Sequence, residues 1–125
     1  MNVLISSMGL SPGVVTEAIK YLIKNGIKIH KVVVLTTNEA YQRYWSLLYE
    51  YLIDEKGFKS EDIQFRILPS DDIRSIEEEL RVFAEMRNSI LDYKKEGNTL
   101  ILNIAGGRKT MSADLLLLGL MLGAG

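Results

Sequence analysis

A chain of 125 residues is long enough for one domain and too short for two of ordinary size. Hydrophobic residues make up 47% and charged residues 25% of it, which are ordinary globular proportions and exclude a disordered chain. The formal net charge of −1 excludes a broad basic surface for duplex nucleic acid, and the lack of cysteine excludes disulfides and thiolate metal sites and fits a reducing compartment.

The N-terminus begins directly with an apolar run, without the basic segment and long hydrophobic stretch of a signal peptide. The longest apolar run, residues 115–122, is interrupted by Gly119 and falls well short of the roughly 20 residues that a membrane span needs. We therefore expect a cytoplasmic protein that does not contact a membrane.

Strands and helices are predicted to alternate along the chain. Apolar runs of strand length occupy residues 3–6, 31–36, 63–68 and 99–103. The second and fourth are almost continuous Val, Leu and Ile, as expected of strands that are buried on both faces.

Segments with helical spacing of apolar residues lie between these strands. Residues 14–23 form the first, which Asn25-Gly26 ends, and residues 40–56 form the second, which Gly57 ends. The second is rich in Tyr and Trp, a set predicted to serve core and interface rather than to stack on bases. Ser75-Ile-Glu-Glu78 has the form of a capping box for the third helix, which Gly97 ends. Its predicted apolar face consists of Ile76, Leu80, Phe83, Met86 and Ile90.

A fourth helix is predicted from about Thr110, so that strand and helix alternate four times. This order predicts a Rossmann-like three-layer α/β sandwich with a mainly parallel sheet and right-handed crossovers, as a single domain over residues 1–125. Residues 115–125 are apolar on all faces. Either a partner subunit covers this helix, or the natural domain continues and the chain lacks the C-terminal part of it.

The loops that follow the four strands should share one edge of the sheet, where ligands bind in such folds. They are residues 7–13, 36–39, 69–72 and 104–110. The first and last offer small residues, hydroxyl groups, backbone N–H groups at helix starts and the cations Arg108 and Lys109. These groups are suited to hold phosphate.

Familiar phosphate motifs do not fit. Arg108 stands directly before Lys109, where the Walker pattern needs glycine, and Ser11 stands where the dinucleotide fingerprint needs its second glycine. His30 is predicted at the opposite edge of the sheet, so neither a histidine-based triad nor a metal site is expected.

Each candidate also has a purely structural interpretation. Ser11 at N-cap and Pro12 at the first helical position are typical of a helix start, and a hydroxyl that accepts from the backbone can still donate to a ligand. Residues 37–39 resemble capping residues, and Gly106-Gly107 a tight turn. Two cations at a helix start oppose the helix dipole, however, which indicates an anion between them.

Three segments carry a family resemblance. Gly9-Leu-Ser-Pro-Gly-Val-Val-Thr-Glu17, Val34-Leu-Thr-Thr-Asn38 and Asn103-Ile-Ala-Gly-Gly-Arg-Lys-Thr-Met-Ser112 follow or close the first, second and fourth strands. Together they resemble CARF domains, the CRISPR-associated Rossmann-fold sensors of type III immunity, and in particular the branch that includes the ring nucleases. The resemblance spans the whole chain, although CARF domains usually continue into further strands.

The resemblance implies a homodimer that binds cyclic oligoadenylate, most often cyclic tetra-adenylate, without a metal or cofactor. It also implies cleavage to linear products with 2′,3′-cyclic phosphate ends, which turns off type III CRISPR signalling. Ser11 would orient the ribose 2′-hydroxyl and Lys109 would stabilise charge on the phosphate. The other implied ligand contacts are Gly9, Leu10, Pro12, Thr37, Asn38, Gly106, Gly107, Arg108 and Thr110. The alternatives are a non-catalytic sensor domain of a CRISPR effector or regulator and a Rossmann-like domain for another nucleotide.

Overall fold

Strands and helices alternate in the part of the chain that the structure, a computed structural model, describes, which comprises residues 1–69 and 76–103. The strands are β1 (Asn2–Met8), β2 (Lys31–Thr36), β3 (Ile63–Ile67) and β4 (Thr99–Asn103). The α-helices are α1 (Gly13–Lys24), α2 (Asn38–Glu50) and α3 (Ile76–Lys95). A π-helical turn (Tyr51–Glu55) extends α2, and a 3₁₀ turn (Ser60–Asp62) precedes β3.

The four strands form one parallel sheet in the order β3-β2-β1-β4. Ile5 in β1 is paired with Val33 of β2 on one side and with Leu102 of β4 on the other. The chain therefore moves outward from β1 to β3 and returns to the far side of β1. The strand order reverses between β1 and β4, and the crevice at such a reversal is where open α/β sheets bind ligands.

Both faces of the sheet are covered, because side chains alternate along each strand. Leu4 and Val34 face the cluster that α1 and α2 cover, while Ile5 and Val33 face the cluster that α3 covers. This arrangement gives the three layers of a Rossmann-like fold and confirms the predicted fold class. No helix among the described residues is long and apolar enough to cross a membrane.

The predicted helix stops are also confirmed. Gly26, Gly57 and Gly97 have positive φ angles of 79°, 72° and 80° and follow the three helical segments. This backbone conformation is easily adopted by glycine alone among the common residues, which is why the stops could be read from the sequence.

Two element boundaries differ from the prediction. β1 continues two residues beyond Ser6, because Ser7 and Met8 pair with Leu35 and Thr36 of β2. The second helix is not uniform, since its last turn is π-helical from Tyr51. A π turn inserts one extra residue into the helix, and the apolar spacing alone did not reveal it.

The predicted buried face of α3 is wrong at its N-terminal end. Ile76 and Leu80 are 76% and 62% exposed, whereas Val82, Met86 and Ile90 are fully buried. At 3.6 residues per turn, Ile76 and Leu80 lie roughly 80° and 120° around the helix from Met86. The buried side chains of the later turns therefore determine how α3 is rotated about its axis. This rotation leaves the apolar side chains of the first turn exposed.

The aromatic residues of α2 divide between two environments. Tyr44 and Tyr51 pack against the cluster beneath α1 and α2, which confirms their predicted core role. Tyr41, Trp45 and Tyr49 contact one another along the helix, with ring centroids 6.2 and 6.3 Å apart. These three rings form a line along one side of α2, and Trp45 is 40% exposed.

Candidate functional site

The first strand-end loop, residues 9–12, leads from the centre of the sheet to α1. Met8 at the end of β1 is fully buried, whereas Leu10 and Ser11 are exposed. The backbone turns into α1 through two hydrogen bonds, from Val14 N–H to the Ser11 carbonyl at 3.2 Å and from Val15 N–H to the Pro12 carbonyl at 3.1 Å. A buried strand thus presents an exposed hydroxyl within three residues of its end.

The predicted capping role of Ser11 is wrong. Helix α1 begins at Gly13, its N-cap position is Pro12, and no side chain makes a capping hydrogen bond. Pro12 already has helical dihedral angles, with φ −64° and ψ −21°. The backbone carbonyls of Ser11 and Pro12 close the turn, so the Ser11 hydroxyl is not needed for the helix start and is left at the surface.

The second strand-end loop behaves as the structural interpretation predicted. Thr37 is the N-cap of α2, and its hydroxyl accepts a hydrogen bond from Ala40 N–H at 3.2 Å. Thr37 is only 7% exposed, whereas Asn38 beside it is exposed. Glu39 forms an ion pair with Arg43 at 3.1 Å across one helical turn. The structural interpretation of this loop therefore holds for Thr37, which caps α2.

The ends of β1 and β2 are joined by a buried hydrogen bond that the sequence did not reveal. Thr36 Oγ1 donates to the Met8 carbonyl at 2.8 Å, and both residues are fully buried. In the sequence, a threonine at the end of a Val-rich strand looks like one more β-branched strand residue. Its hydrogen bond to β1 could be recognised only once the pairing of β1 with β2 was known. The bond fixes the first two loops relative to each other at their base.

Asn103 at the end of β4 ties the fourth strand to β1 and to the first turn of α1. Its side-chain amide donates to Ser6 Oγ at 3.0 Å and to the Val14 carbonyl at 3.4 Å. Ser6 is fully buried within β1, and Val14 lies in the first turn of α1. One amide group therefore connects both sides of the strand-order reversal. A polar residue that closes an apolar strand is the sequence signal for this role.

The remaining predicted site residues lie outside the described part of the chain. They are Gly106, Gly107, Arg108, Lys109 and Thr110. The structure brings together the other predicted contacts, since residues 9–12, Thr37 and Asn38 follow neighbouring strands at one edge. Asn103, the first residue of the third motif, ends at the same edge, because β4 is parallel to β1.

His30 lies at the opposite edge, just before β2. Its Nδ1 accepts a hydrogen bond from Asn2 N–H at 3.0 Å, at the start of β1. The residues that the structure describes include no group of three or more His, Cys, Asp or Glu side chains placed to hold a metal ion. His30 is the single histidine of the chain, so the candidate site has no imidazole of its own.

Comparison with known proteins identifies the family. The family described as CRISPR-associated protein NE0113 matches residues 11–125. The chain belongs to this CRISPR-associated family. The match begins at Ser11 and therefore includes α1, the whole of the sheet beyond β1 and the third motif. This match confirms the predicted CRISPR-associated family, and the predicted ring nuclease branch is supported by the relative described next.

A curated relative of the chain carries an activity in its name. The chain is 37% identical over 113 residues to the CRISPR system ring nuclease SSO2081 of Saccharolobus solfataricus (strain ATCC 35092 / DSM 1617 / JCM 11322 / P2). The aligned region covers 87% of this chain and 60% of the relative. The chain thus spans less than two thirds of the length of that protein.

Proposed function

We propose that the chain binds cyclic tetra-adenylate as a homodimer and cleaves the ring to linear products, which ends type III CRISPR signalling. The observation that carries this proposal is the exposed Ser11 hydroxyl, which no helix cap uses, at the reversal of strand order. Asn103, the first residue of the third motif, is hydrogen-bonded to Ser6 in β1 and to Val14 in the first turn of α1, on either side of the loop that carries Ser11. The ring nuclease relative supports the reaction class.

Symmetry supports a dimer as the binding unit. A ring of four identical nucleotides can share a two-fold axis with two protein chains, so that each chain supplies an identical half-site. Two copies of Arg108 and Lys109 would then offset four phosphate charges, although the chain carries a net charge of −1. The local site, and not the surface as a whole, supplies the attraction.

The proposed reaction uses the substrate's own nucleophile. The ribose 2′-oxygen attacks the adjacent phosphorus in line, the bond from phosphorus to the 5′-oxygen breaks, and a 2′,3′-cyclic phosphate remains. The 2′-hydroxyl gives its proton to water, and the leaving 5′-oxygen takes one up. Ser11 contacts and orients the 2′-hydroxyl, and Lys109 stabilises the negative charge that grows on the phosphate oxygens. No metal-activated water is required.

Incubation of the chain with labelled cyclic tetra-adenylate in EDTA tests this proposal. Linear products with cyclic phosphate ends, identified by mass, are expected from the wild type. Lys109→Ala should lower the rate by about 100-fold or more, the effect of removing one charge-stabilising donor. Ser46→Ala and Lys59→Ala change the same residue types at exposed positions elsewhere and should keep the wild-type rate. A ring that remains intact after long incubation contradicts the enzymatic proposal.

A second candidate function is that of a non-catalytic sensor domain. It is favoured by the position of His30, which leaves the candidate site without an imidazole general base and predicts slow turnover at best. In this case the chain would bind cyclic tetra-adenylate tightly and release it unchanged. Equilibrium binding measured beside the cleavage assay separates the two functions.

A further inference from the structure

The strand β3 is an edge of the sheet that the described residues form, because it pairs only with β2. Leu68 N–H, directly after β3, donates to the Thr36 carbonyl of β2 at 2.8 Å. Because backbone groups alternate between the two sides of a strand, the N–H and C=O groups of Phe65 and Ile67 point away from β2. Such a row of backbone groups, which no described strand pairs, is a template for a further strand.

Edge strands are usually protected by side chains that discourage pairing with another chain, above all proline and lysine. The sequence of β3 is Ile-Gln-Phe-Arg-Ile and contains neither. Its one charged residue, Arg66, is engaged with α3, where it is paired with Asp92 at 3.1 Å. The strand therefore has none of the side chains that normally keep an edge from pairing.

Exposed apolar side chains lie beside this edge, on the α2 side of the sheet. Tyr41 packs edge-on against Phe65 with ring centroids 5.3 Å apart, which places the aromatic line of α2 next to β3. Trp45 in that line is 40% exposed, and Ile67 at the end of β3 is 44% exposed. The charged residues of α2 all lie roughly 120° or more around the helix from Trp45. They are Glu39, Arg43 and Glu50. Tyrosine and tryptophan apart from charged residues are typical of the core of a protein interface.

We propose that β3 pairs with β3 of a second copy of this chain, antiparallel and about a two-fold axis that passes beside Phe65. Phe65 then faces Phe65 of the second copy, and the two exchange both of their backbone hydrogen bonds. Ile67 N–H donates to the Ile63 carbonyl of the second copy. The two sets of described strands become one continuous sheet. Because the axis is perpendicular to this sheet, both α2 helices lie on the same face and their aromatic lines meet.

The register of this pairing makes β3 complementary to itself, which is why a second copy fits the edge. On the α2 side, Ile67 faces Ile63 of the second copy, so apolar side chains meet apolar side chains. On the α3 side, Gln64 faces Arg66 of the second copy, and no like charges lie directly opposite each other. Every contact occurs twice about the axis, as a two-fold interface requires.

This interface is separate from the ligand-binding interface proposed above. The candidate site lies at the carboxyl ends of the strands, where β1 meets β4, whereas β3 closes the described sheet on its other side. Chains that use both two-fold interfaces would form a closed tetramer if the axes meet, and a longer assembly if they do not. The β3 interface does not depend on the proposed function.

A single introduced cysteine tests the register, because the chain has no cysteine of its own. In an antiparallel hydrogen-bonded pair the Cα atoms lie about 5.5 Å apart, within the range that a disulfide can bridge. Mild oxidation of the full chain with Phe65→Cys should therefore give a covalent dimer on a gel without reductant. Leu47→Cys is the matched control, since Leu47 is 61% exposed on the opposite side of α2, and it should stay largely uncrosslinked over the same time.

Sedimentation equilibrium without ligand tests the apolar patch. Trp45→Glu brings two like charges together across the axis, so the mean mass of the assembly should fall to about half of the wild-type value at the same concentration. Ile67→Lys places a lysine on the edge strand and should have the same effect, even if Trp45→Glu does not melt as a folded protein. Leu47→Glu introduces a charge on the far side of α2 and should keep the wild-type mass.

Several results would contradict the β3 interface. One is a wild type that sediments as a monomer at the highest concentration measured, and another is crosslinking of Phe65→Cys no faster than that of Leu47→Cys. A third is a wild-type mass for either charged variant of the patch once it is folded, and a fourth is an equal loss of mass for Leu47→Glu. Neither measurement uses cyclic tetra-adenylate. A chain that pairs through β3 but neither binds nor cleaves the ring would therefore contradict only the proposed function.

Discussion

The separation of helix capping from ligand contact at Ser11 leads to a quantitative prediction. In the structure Thr37 caps α2 through a hydrogen bond of 3.2 Å, whereas Ser11 makes no capping bond to α1. Removing a capping hydroxyl costs typically about 1 kcal/mol. For a chain of 125 residues that cost lowers the melting temperature by about 4 °C. Thr37→Ala should show this loss.

The variant Ser11→Ala should behave in the opposite way. Because its hydroxyl is exposed and holds no backbone group, the substitution should change the free energy of unfolding by less than about 0.5 kcal/mol. The rate of ring cleavage should nevertheless fall by about 100-fold, since misplacement of a reacting group has effects of that size. Thr37→Ala should retain most of the activity once the temperature is well below its melting point.

Calorimetric melting and single-turnover cleavage, measured on both variants, provide the assay. A loss of about 4 °C for Ser11→Ala would mean that its hydroxyl caps α1 after all, and the assignment of Pro12 as the cap position would be wrong. Unchanged stability together with unchanged cleavage would remove Ser11 from the reaction. The first result would refute the structural part of the reasoning, and the second would refute the catalytic part.

Five further substitutions test the structural account. Asn103→Ala removes the bonds from β4 to β1 and α1 and should lower the free energy of unfolding in urea by about 1–2 kcal/mol. Gly57→Ala places a side chain at φ 72° and should cost about 1 kcal/mol in the same assay, whereas Gly13→Ala, at the helix start and with open space around it, should be neutral or stabilising. Met86→Ala should cost about 2–5 kcal/mol and Leu80→Ala less than about 0.5 kcal/mol, and equal losses would restore the α3 face predicted from the sequence.

The sequence predicted the elements well because their signals are local. Nearly continuous β-branched runs mark strands that are buried on both faces, and a glycine after a helical pattern marks a left-handed stop. Gly26, Gly57 and Gly97 all take that conformation. The parallel order followed from the alternation of strand and helix, since few topologies accommodate it.

The features that the sequence did not reveal depend on the path of the backbone or on distant contacts. Ser11 and Thr37 both precede helices, yet only the Thr37 hydroxyl accepts a hydrogen bond from the first turn, whereas at α1 the carbonyls of Ser11 and Pro12 close the turn. Ile76 and Leu80 fit a helical face, but the buried stripe of the later turns decides the rotation of α3. Asn103 acquires its role only when β4 is placed beside β1, where its partner Ser6 lies 97 residues away along the chain.

The candidate site was likewise predicted where the signal is local and missed where it depends on packing. The first loop and Asn38 were placed correctly at the carboxyl edge, because strand ends in a parallel sheet share that edge. The sequence predicted a core and interface role for the aromatic residues of the second helix and could not show that the Tyr51 hydroxyl is buried without a partner among the described residues, since no local pattern distinguishes a paired phenol from an unpaired one. That distinction is a property of the packed structure.

The central position of β1 predicts a sharp difference in hydrogen exchange between this strand and the loop that follows it. β1 pairs with strands on both sides and is covered on both faces, so we expect its amide protons to exchange with solvent only when the whole domain opens. The exposed residues 10 and 11 follow this buried strand after a single glycine. We therefore expect the boundary between protected and unprotected backbone to fall within three residues of Ser11. A ligand that binds there would be reported by protection of the loop alone, against an unchanged background from the strand.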